Sequence, residues 1–454
     1  MNRIKQFLDN VCSHIRCGAV HEDIRTELLS HINELRAEYI KQGLSEADAD
    51  KKAVAAMGDS NEIGVMLDAR HRPRTDWVLL LLVLAIAVFG AVGMYFYGIP
   101  ERGSSFTGYI FSAAVGAAVL AGAYFFDYTK LEKTALPIYI FSVGMAFLTA
   151  ARGISFNGAR TFMRIGFINF NSDYTILLLC IAYAGFIMKF KNQGSVGVLI
   201  TAALGIFSFV PYLIMPNSRL IMIMLVCYSV MLIAAIARGH FGGKRKLQLL
   251  TVIGLLIVLP AAVIFLFPRP YLISRIAAMM SRSKSDIAGN GYQQYMTDFW
   301  LKNSRWFGAA QADFNGMGIE QTLPSPANDF ALISFFATFG RAVGIVLILL
   351  IAAFVVRLFA SCFKIKNSYG FFLALGAAAA LAAQFIGGIM INFGLFPAAS
   401  AMIPFISYSG TGYIISMALV GLVLSVWRRD NILPKTAAAS NQAWRRRLIA
   451  LLDK

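Results

Sequence analysis

The sequence predicts an all-α polytopic membrane protein: ten transmembrane helices behind a small cytoplasmic helical N-terminal domain. Two observations carry this. Of 454 residues, 58% are hydrophobic and only 14% charged, with a mean hydropathy of +0.64. Ordinary globular domains carry roughly 25% charged residues, and a soluble fold could not hide this much apolar surface. The charge is also segregated. Residues 1 to 76 hold 13 acids and 11 bases, whereas the remainder holds 30 bases and 11 acids. A formal charge of +17 could mean nucleic acid, but the bases lie between apolar spans. Membrane lipids with anionic head groups are the better partner, and no nucleic acid is expected.

Residues 1 to 74 read as the helical domain. Ile24, Leu28, Ile32, Leu35 and Tyr39 recur at helical spacing. Gly43 is placed to end that helix, Ser45 with Asp48 to start the next, and Gly58-Asp59 repeats the stop and start. The first twenty residues are amphipathic without a continuous apolar core, so no cleavable signal peptide is expected. Cys12, His14, Cys17 and His21 match no standard zinc spacing, and no metal is expected there.

From 75 to 430 come ten apolar stretches near the roughly 20 residues a bilayer requires: 77–97, 107–126, 135–150, 174–188, 195–213, 218–236, 247–268, 329–356, 370–391 and 402–426. Alternate connections are basic: Lys130/Lys133, Lys189/Lys191, Arg238/Lys244/Arg245/Lys246 and Arg357/Lys364/Lys366. The tail 431–454 carries Arg445–Arg447, just after Arg428/Arg429. The positive-inside rule then puts these connections and both termini in the cytoplasm. The loops 151–173, 269–328 and 392–401 fall outside. None of the five cysteines lies in an outer loop, so no structural disulfide is expected.

The loop 269–328 is long enough to suggest function. It carries Asp286, Asp298, Asp313 and Glu320, with Asp329 at its end. Tyr271 to Met280 reads as an amphipathic stretch on the outer leaflet.

Four blocks carry a family resemblance, in order and on one side of the membrane. They are Asn157-Gly-Ala-Arg160 with Arg164 in NGARTFMRIGF, and Asp286, Gly289, Gly291, Tyr292 and Gln293 in DIAGNGYQ. Asn328-Asp329-Phe330 is the third, and NFGLFPAASAMIPFISYSG, Asn392 to Gly410, the fourth. These resemble the NGARRWIRLG, DPxGxGYQ, TDF and NxGLxP–PFISYGG stretches of the FtsW, RodA and SpoVE family, over about Trp77 to Trp427. The N-terminal residues resemble the prefix domain found ahead of bacterial membrane permeases, which implies a regulatory or docking module.

The family resemblance implies a peptidoglycan glycosyltransferase that polymerises lipid II and works with a class B penicillin-binding protein. It places the essential acid at Asp286. A positioned carboxylate can take the proton of a sugar hydroxyl as the new bond forms. Fixed cations should then carry the charge of the departing polyprenyl pyrophosphate, with Arg160, Arg164, Arg275, Arg282 and Lys284 as candidates. Asn157, Gly289, Gly291, Tyr292, Gln293, Asp329, Asn392, Pro404, Ser407 and Tyr408 complete the expected substrate site. Asp286 with its glycines also fits a surface turn, Arg160 and Arg164 fit lipid phosphate contacts, Asp329 fits a helix cap, and Ser407 and Tyr408 fit a re-entrant backbone. No cofactor is firmly indicated, and a divalent cation is left open.

The chain departs from the family pattern at PSE (Ser172-Asp173-Tyr174), at QPDLGT (Met215-Pro216-Asn217-Ser218-Arg219), at the glutamates after TDF (Ala337-Thr338) and at the glycine-rich run, here DFWLKNSRWFGAA. Two other functions fit the same bundle: a flippase or transporter of polyprenyl-linked sugars, and a non-catalytic scaffold of cell wall synthesis.

Overall fold

The structure is a computed structural model describing residues 2–16, 18–70, 73–97, 104–156, 159–166, 168–215, 217–266, 291–311, 313–396 and 402–430. Asn157, Asp286, Gly289, the bases Arg275, Arg282 and Lys284, the stretch Tyr271–Met280 and the arginines Arg445–Arg447 lie outside the described residues. Contacts divide the chain into a unit built on Met1–Thr75 and a larger one, Asp76–Val426.

Four helices make the small unit: α1 (Asn2–Ser13), α2 (His21–Lys41), α3 (Glu46–Met57) and α4 (Ser60–Arg70). Ile4, Phe7, Leu8 and Val11 share one face of α1 and are buried with Ile24, Leu28 and Ile32 of α2, while Leu35 and Tyr39 pack at the margin. Gly43 takes φ 92° after α2, a conformation that costs a glycine little. Ser45 accepts the Asp48 N–H at 3.2 Å and donates to the Asp48 carboxylate at 2.6 Å, which starts α3. Arg36 of α2 bridges Glu46 and Asp50 of α3 at 2.9 and 2.6 Å.

Among the described residues of the larger unit and its flank, eight segments have the length and apolarity to cross a membrane: Trp77–Phe96, Phe106–Phe125, Tyr128–Arg152, Gly194–Ile214, Ser218–Ala237, Arg341–Phe363, Ser368–Asn392 and Gly410–Arg429. The chain is thus a multi-pass, mostly helical membrane protein. In chain order the helices are α5 (Trp77–Tyr97), α6 (Ser104–Phe125), α7 (Ala135–Arg152), α8 (Tyr174–Lys189), α9 (Gly194–Phe207), α10 (Val210–Ile214), α11 (Ser218–Ala237) and α12 (Arg245–Leu266). There follow α13 (Tyr292–Asn303), α14 (Ile319–Thr322), α15 (Ala331–Phe339), α16 (Arg341–Phe363), α17 (Ser368–Asn392) and α18 (Gly410–Arg429).

The core forms around α17, 89% buried over its most apolar stretch. Its run of Ala and Gly lets neighbours approach closely: a Cβ on Gly376 would meet Met231 Sδ at 2.5 Å, and one on Gly388 would meet Ile403 Cγ1 at 2.5 Å. At the start of α5 the buried Asp76 accepts the Leu79 N–H at 3.1 Å, capping the helix. Its two oxygens also take Arg357 of α16 in a fork at 2.9 to 3.1 Å and the Ser361 hydroxyl at 2.6 Å.

Four expectations change. The segment 151–173 is not simply a loop: β1 (Ile154–Phe156), β2 (Ala159–Ile165) and β3 (Ile168–Asn171) form a small antiparallel sheet in that order within the mostly helical fold. Phe156 pairs with Ala159 across the Asn-Gly dipeptide, a strong hairpin signal in sequence, and Ile165 pairs with Ile168. The loop 269–328 contains α13 and α14. The stretch 329–356 is broken at Gly340 (φ 94°, ψ 171°), where a Cβ would lie 2.7 Å from Trp306 O, so the span runs from Arg341. The last span begins at Gly410, because 402–409 is irregular, with Phe405 at φ 65°.

Candidate functional site

At the end of the bundle where α17 stops, the third and fourth sequence blocks are tied together by side chain to backbone bonds. Asn328 and Asp329 turn over Ser325, whose carbonyl accepts both their N–H groups at 3.0 and 3.1 Å. Asn392, the last residue of α17 and fully buried, donates to Asp329 O at 2.9 Å and Gly388 O at 2.8 Å, and accepts the Ile333 N–H at 3.1 Å. Ser407 donates to Asn328 O at 2.6 Å and accepts the Ile403 N–H at 2.9 Å. The Tyr408 N–H donates to Ala327 O at 2.8 Å.

Pro404 is buried, and the carbonyl of the following Phe405 accepts the Tyr109 hydroxyl of α6 at 2.6 Å. Irregular backbone at a bundle end thus finds protein partners. Tyr408 stays partly exposed, with its hydroxyl over Gly108, where a Cβ would come within 2.8 Å. Ser407 is therefore a backbone clamp, and the Asn328 Oδ1 atom is buried without a hydrogen-bond partner. The N-cap position of α15 is Phe330, which makes no side-chain cap bond.

The second block reaches this cluster through α13. Gly291 precedes the helix, Tyr292 and Gln293 open it half-buried, and Gln294 donates to Gly394 O just past α17. An apolar cluster of Met296, Trp300, Leu323, Phe330, Ile333 and Ile391 fixes α13 to α15 and the end of α17. The Trp300 indole donates to Thr322 at 2.9 Å. Tyr292 thereby packs against the apolar cluster that holds Phe330 and Ile391, the chain neighbours of Asp329 and Asn392.

Arg160 and Arg164, four residues apart on β2, share one side of the strand, and both are exposed. Arg160 Nη1 donates to Ala150 O and Ala151 O at 2.9 and 3.3 Å, closing the end of α7; Arg164 Nε donates to Gly166 O in the hairpin at 3.1 Å.

Two residues that mattered in sequence only as departures from a pattern join the site instead. Asp173, just before α8, and Arg219, in the first turn of α11, form an ion pair with side chains 6% and 15% exposed. Arg219 also interacts electrostatically with Asp329. The available signal was the rarity of acids beyond residue 76, since charges flanking apolar spans need partners. Together the cluster offers two carboxylates, one guanidinium and fixed backbone groups in a half-buried setting, where charge interactions exceed those in water.

Comparison with known proteins bears on the family and the fold. Residues 73–432 match the family model described as cell cycle protein, of FtsW, RodA and SpoVE. A Geobacter sulfurreducens protein named probable peptidoglycan glycosyltransferase FtsW is 26% identical over 391 residues, covering 80% of this chain and 98% of its own. The Thioalkalivibrio sp. protein of the same name is 27% identical over 370 residues, covering 77% and 86%. Among solved structures, a chain of a peptidoglycan synthase complex coordinating polymerization and crosslinking superposes with a TM-score of 0.63 at 20% identity, over 78% of this chain and 98% of that one. Thermus thermophilus rod shape determining protein RodA gives 0.56 at 18% identity, over 78% and 97%. The chain belongs to the FtsW, RodA and SpoVE family of cell cycle proteins.

Proposed function

We propose that this protein is a peptidoglycan glycosyltransferase that polymerises lipid II on the outer face of the cytoplasmic membrane, with Asp286 as general base. The observation that carries the reading is the family match through residues 73–432, with relatives named for this activity matched over nearly their whole length. The polar cluster built from the family's own motif blocks supports it.

In this reading the membrane domain, 75–430, has ten spans. To the eight segments above it adds the apolar Tyr174–Lys189 and Arg245–Leu266. The alternating basic loops put both termini in the cytoplasm, so the Asn392–Tyr408 cluster faces outward. Residues 1–74 serve as a docking module, and a class B penicillin-binding protein is the partner. The likeness to a chain of a peptidoglycan synthase complex favours such an assembly.

Chemically, Asp286 takes the proton of the attacking sugar hydroxyl as that oxygen bonds to the anomeric carbon. The polyprenyl pyrophosphate leaves with the electron pair of the broken bond. Arg160 and Arg164 keep guanidinium N–H groups beyond those bound to backbone, which are available to phosphate oxygens. Gly289 and Gly291 admit the sugar close to the backbone, and Asn157, Tyr292, Gln293, Asp329, Asn392, Pro404, Ser407 and Tyr408 shape the pocket.

The test is glycan synthesis by the purified full-length protein in lipid bilayers, given lipid II with and without a candidate partner. Asp286→Asn should lose roughly 10²-fold or more in turnover with lipid II binding retained. Normal polymerisation by Asp286→Asn would remove the base from Asp286. Failure of the wild type in every setting would favour transport or scaffolding.

A further inference from the structure

The two departures from the family pattern at Asp173 and Arg219 find each other, although 46 positions separate them. Both ends of the pair are held in place. The Asp173 N–H donates to Asn171 Oδ1 at 3.0 Å, and Asn217 Oδ1 accepts the Leu220 N–H at 3.3 Å, fixing the first turn of α11. The Tyr212 hydroxyl donates to Thr175 Oγ1 at 2.6 Å, tying α10 to the start of α8. On the third side Asn392 pins the Asp329 backbone. Three helix starts, those of α8, α11 and α15, therefore carry the three charges, and the positive end of each helix favours the acids.

The pairing leaves part of the arginine unused. Nη2 is taken by Asp173, while Nη1 is buried without a hydrogen-bond partner. A guanidinium is a planar fork suited to two carboxylates at once, and a buried donor without an acceptor is costly. Asp329 is the other acid whose charge Arg219 feels.

We propose that Arg219 is a positioning residue shared by two carboxylates: Asp173 anchors Nη2, and Nη1 serves Asp329, keeping that carboxylate ionised and aimed within the substrate site. This rests on the glycosyltransferase reading for its purpose, but not for its test. The other charged side chains on helices packed against α15 are Asp298 and Lys302 on α13, and Arg341 and Arg357 on α16. Arg341 is engaged with the Leu301 and Lys302 carbonyls at 3.2 and 3.0 Å, and Arg357 with Asp76.

The experiment follows the Asp329 carboxylate by isotope-edited infrared titration of the full-length protein, assigning its band by loss in Asp329→Asn. A purely structural ion pair is broken alike by Arg219→Gln and Asp173→Asn, so the two would act in the same direction. A shared arginine makes them opposite. Arg219→Gln removes a cation that interacts with Asp329 and should raise its titration by roughly one pH unit or more; Asp173→Asn frees the guanidinium for Asp329 and should lower it. Arg219→Lys, which keeps the charge, should stay nearer wild type than Arg219→Gln. If Arg219→Gln does not fold, Asp173→Asn decides alone, and a titration unmoved or raised there overturns the proposal. The acid limb of lipid II polymerisation should shift in the same senses. Wild-type protein that makes no polymer would sink the function reading, whereas infrared shifts of equal sign would sink the shared arginine even where polymer forms.

Discussion

Replacing Asp76 tests how the first span is fastened. Its side chain is 1% exposed and meets three partners at once: the Leu79 N–H, the Ser361 hydroxyl and the Arg357 fork. Asp76→Ala removes a helix cap worth about 1 kcal/mol. It also leaves the buried Ser361 without its acceptor, at about 1.5 kcal/mol or more for a bond to a charged group. The Arg357 side chain is 31% exposed, so its charge can turn to water or head groups and adds less than about 1 kcal/mol. The expected loss is about 3 kcal/mol, read by equilibrium unfolding in mixed micelles. Asp76→Asn keeps the cap and an acceptor for Ser361 and should lose only about 1 kcal/mol, mainly the charge of the fork.

Burial alone would raise the Asp76 pKa, but the bonds from Arg357, Ser361 and the Leu79 N–H outweigh it and hold the carboxyl below its ordinary value. With the folded pKa below the unfolded value near 3.9, the stabilisation is complete above about pH 4 and is lost as pH falls through the folded pKa. The wild type should show that acid loss and Asp76→Asn should not. An Asp76→Ala protein within about 0.5 kcal/mol of wild type, or an asparagine variant as damaged as the alanine one, would refute the clamp.

Two further substitutions probe the site's frame. Gly340→Ala puts a Cβ within 2.7 to 2.9 Å of the Trp306 and Phe307 backbone at φ 94°; it should cost about 2 kcal/mol or more in the same unfolding assay, and a neutral result would mean that the break between α15 and α16 can close. Asn392→Leu preserves bulk but strands the Ile333 N–H and the Asp329 carbonyl. Its loss should be about 2 to 4 kcal/mol, with that of Ser407→Ala, which strands the Ile403 N–H and the Asn328 carbonyl, of similar size; a neutral result at either would show that its bonds do not hold the turn.

What sequence could reveal followed the range of each signal. Apolar length announced the spans, and Ser45 with Asp48 announced a cap, because both are local. The hairpin was also local, in the Asn-Gly dipeptide between Phe156 and Ala159, which is at the same time the start of the NGAR block. Gly340 looked like one more small residue in an apolar run; only the approach of the Trp306 backbone makes it a break. The pairs Asp76 with Arg357 and Asp173 with Arg219 join residues 281 and 46 positions apart, and no periodicity encodes such a meeting. Motif spacing located Asn392, Ser407 and Tyr408, and the irregular stretch around Pro404 pointed to a backbone role for Ser407, but nothing local showed that the Asn392 side chain also holds backbone.

The ties around Asp329 also set a schedule for synthesis. Asn392 and Ser407 hold a turn that was made 63 and 79 residues earlier, and Phe405 O waits for a hydroxyl on α6, 296 residues upstream. A chain emerging from the ribosome can insert its early helices long before these bonds are available. The cluster therefore closes only once residue 407 has been made, and a chain stopped before residue 392 would keep most of its spans in the bilayer with the cluster unassembled. Quality control that samples this cluster would be reading whether synthesis had passed residue 407.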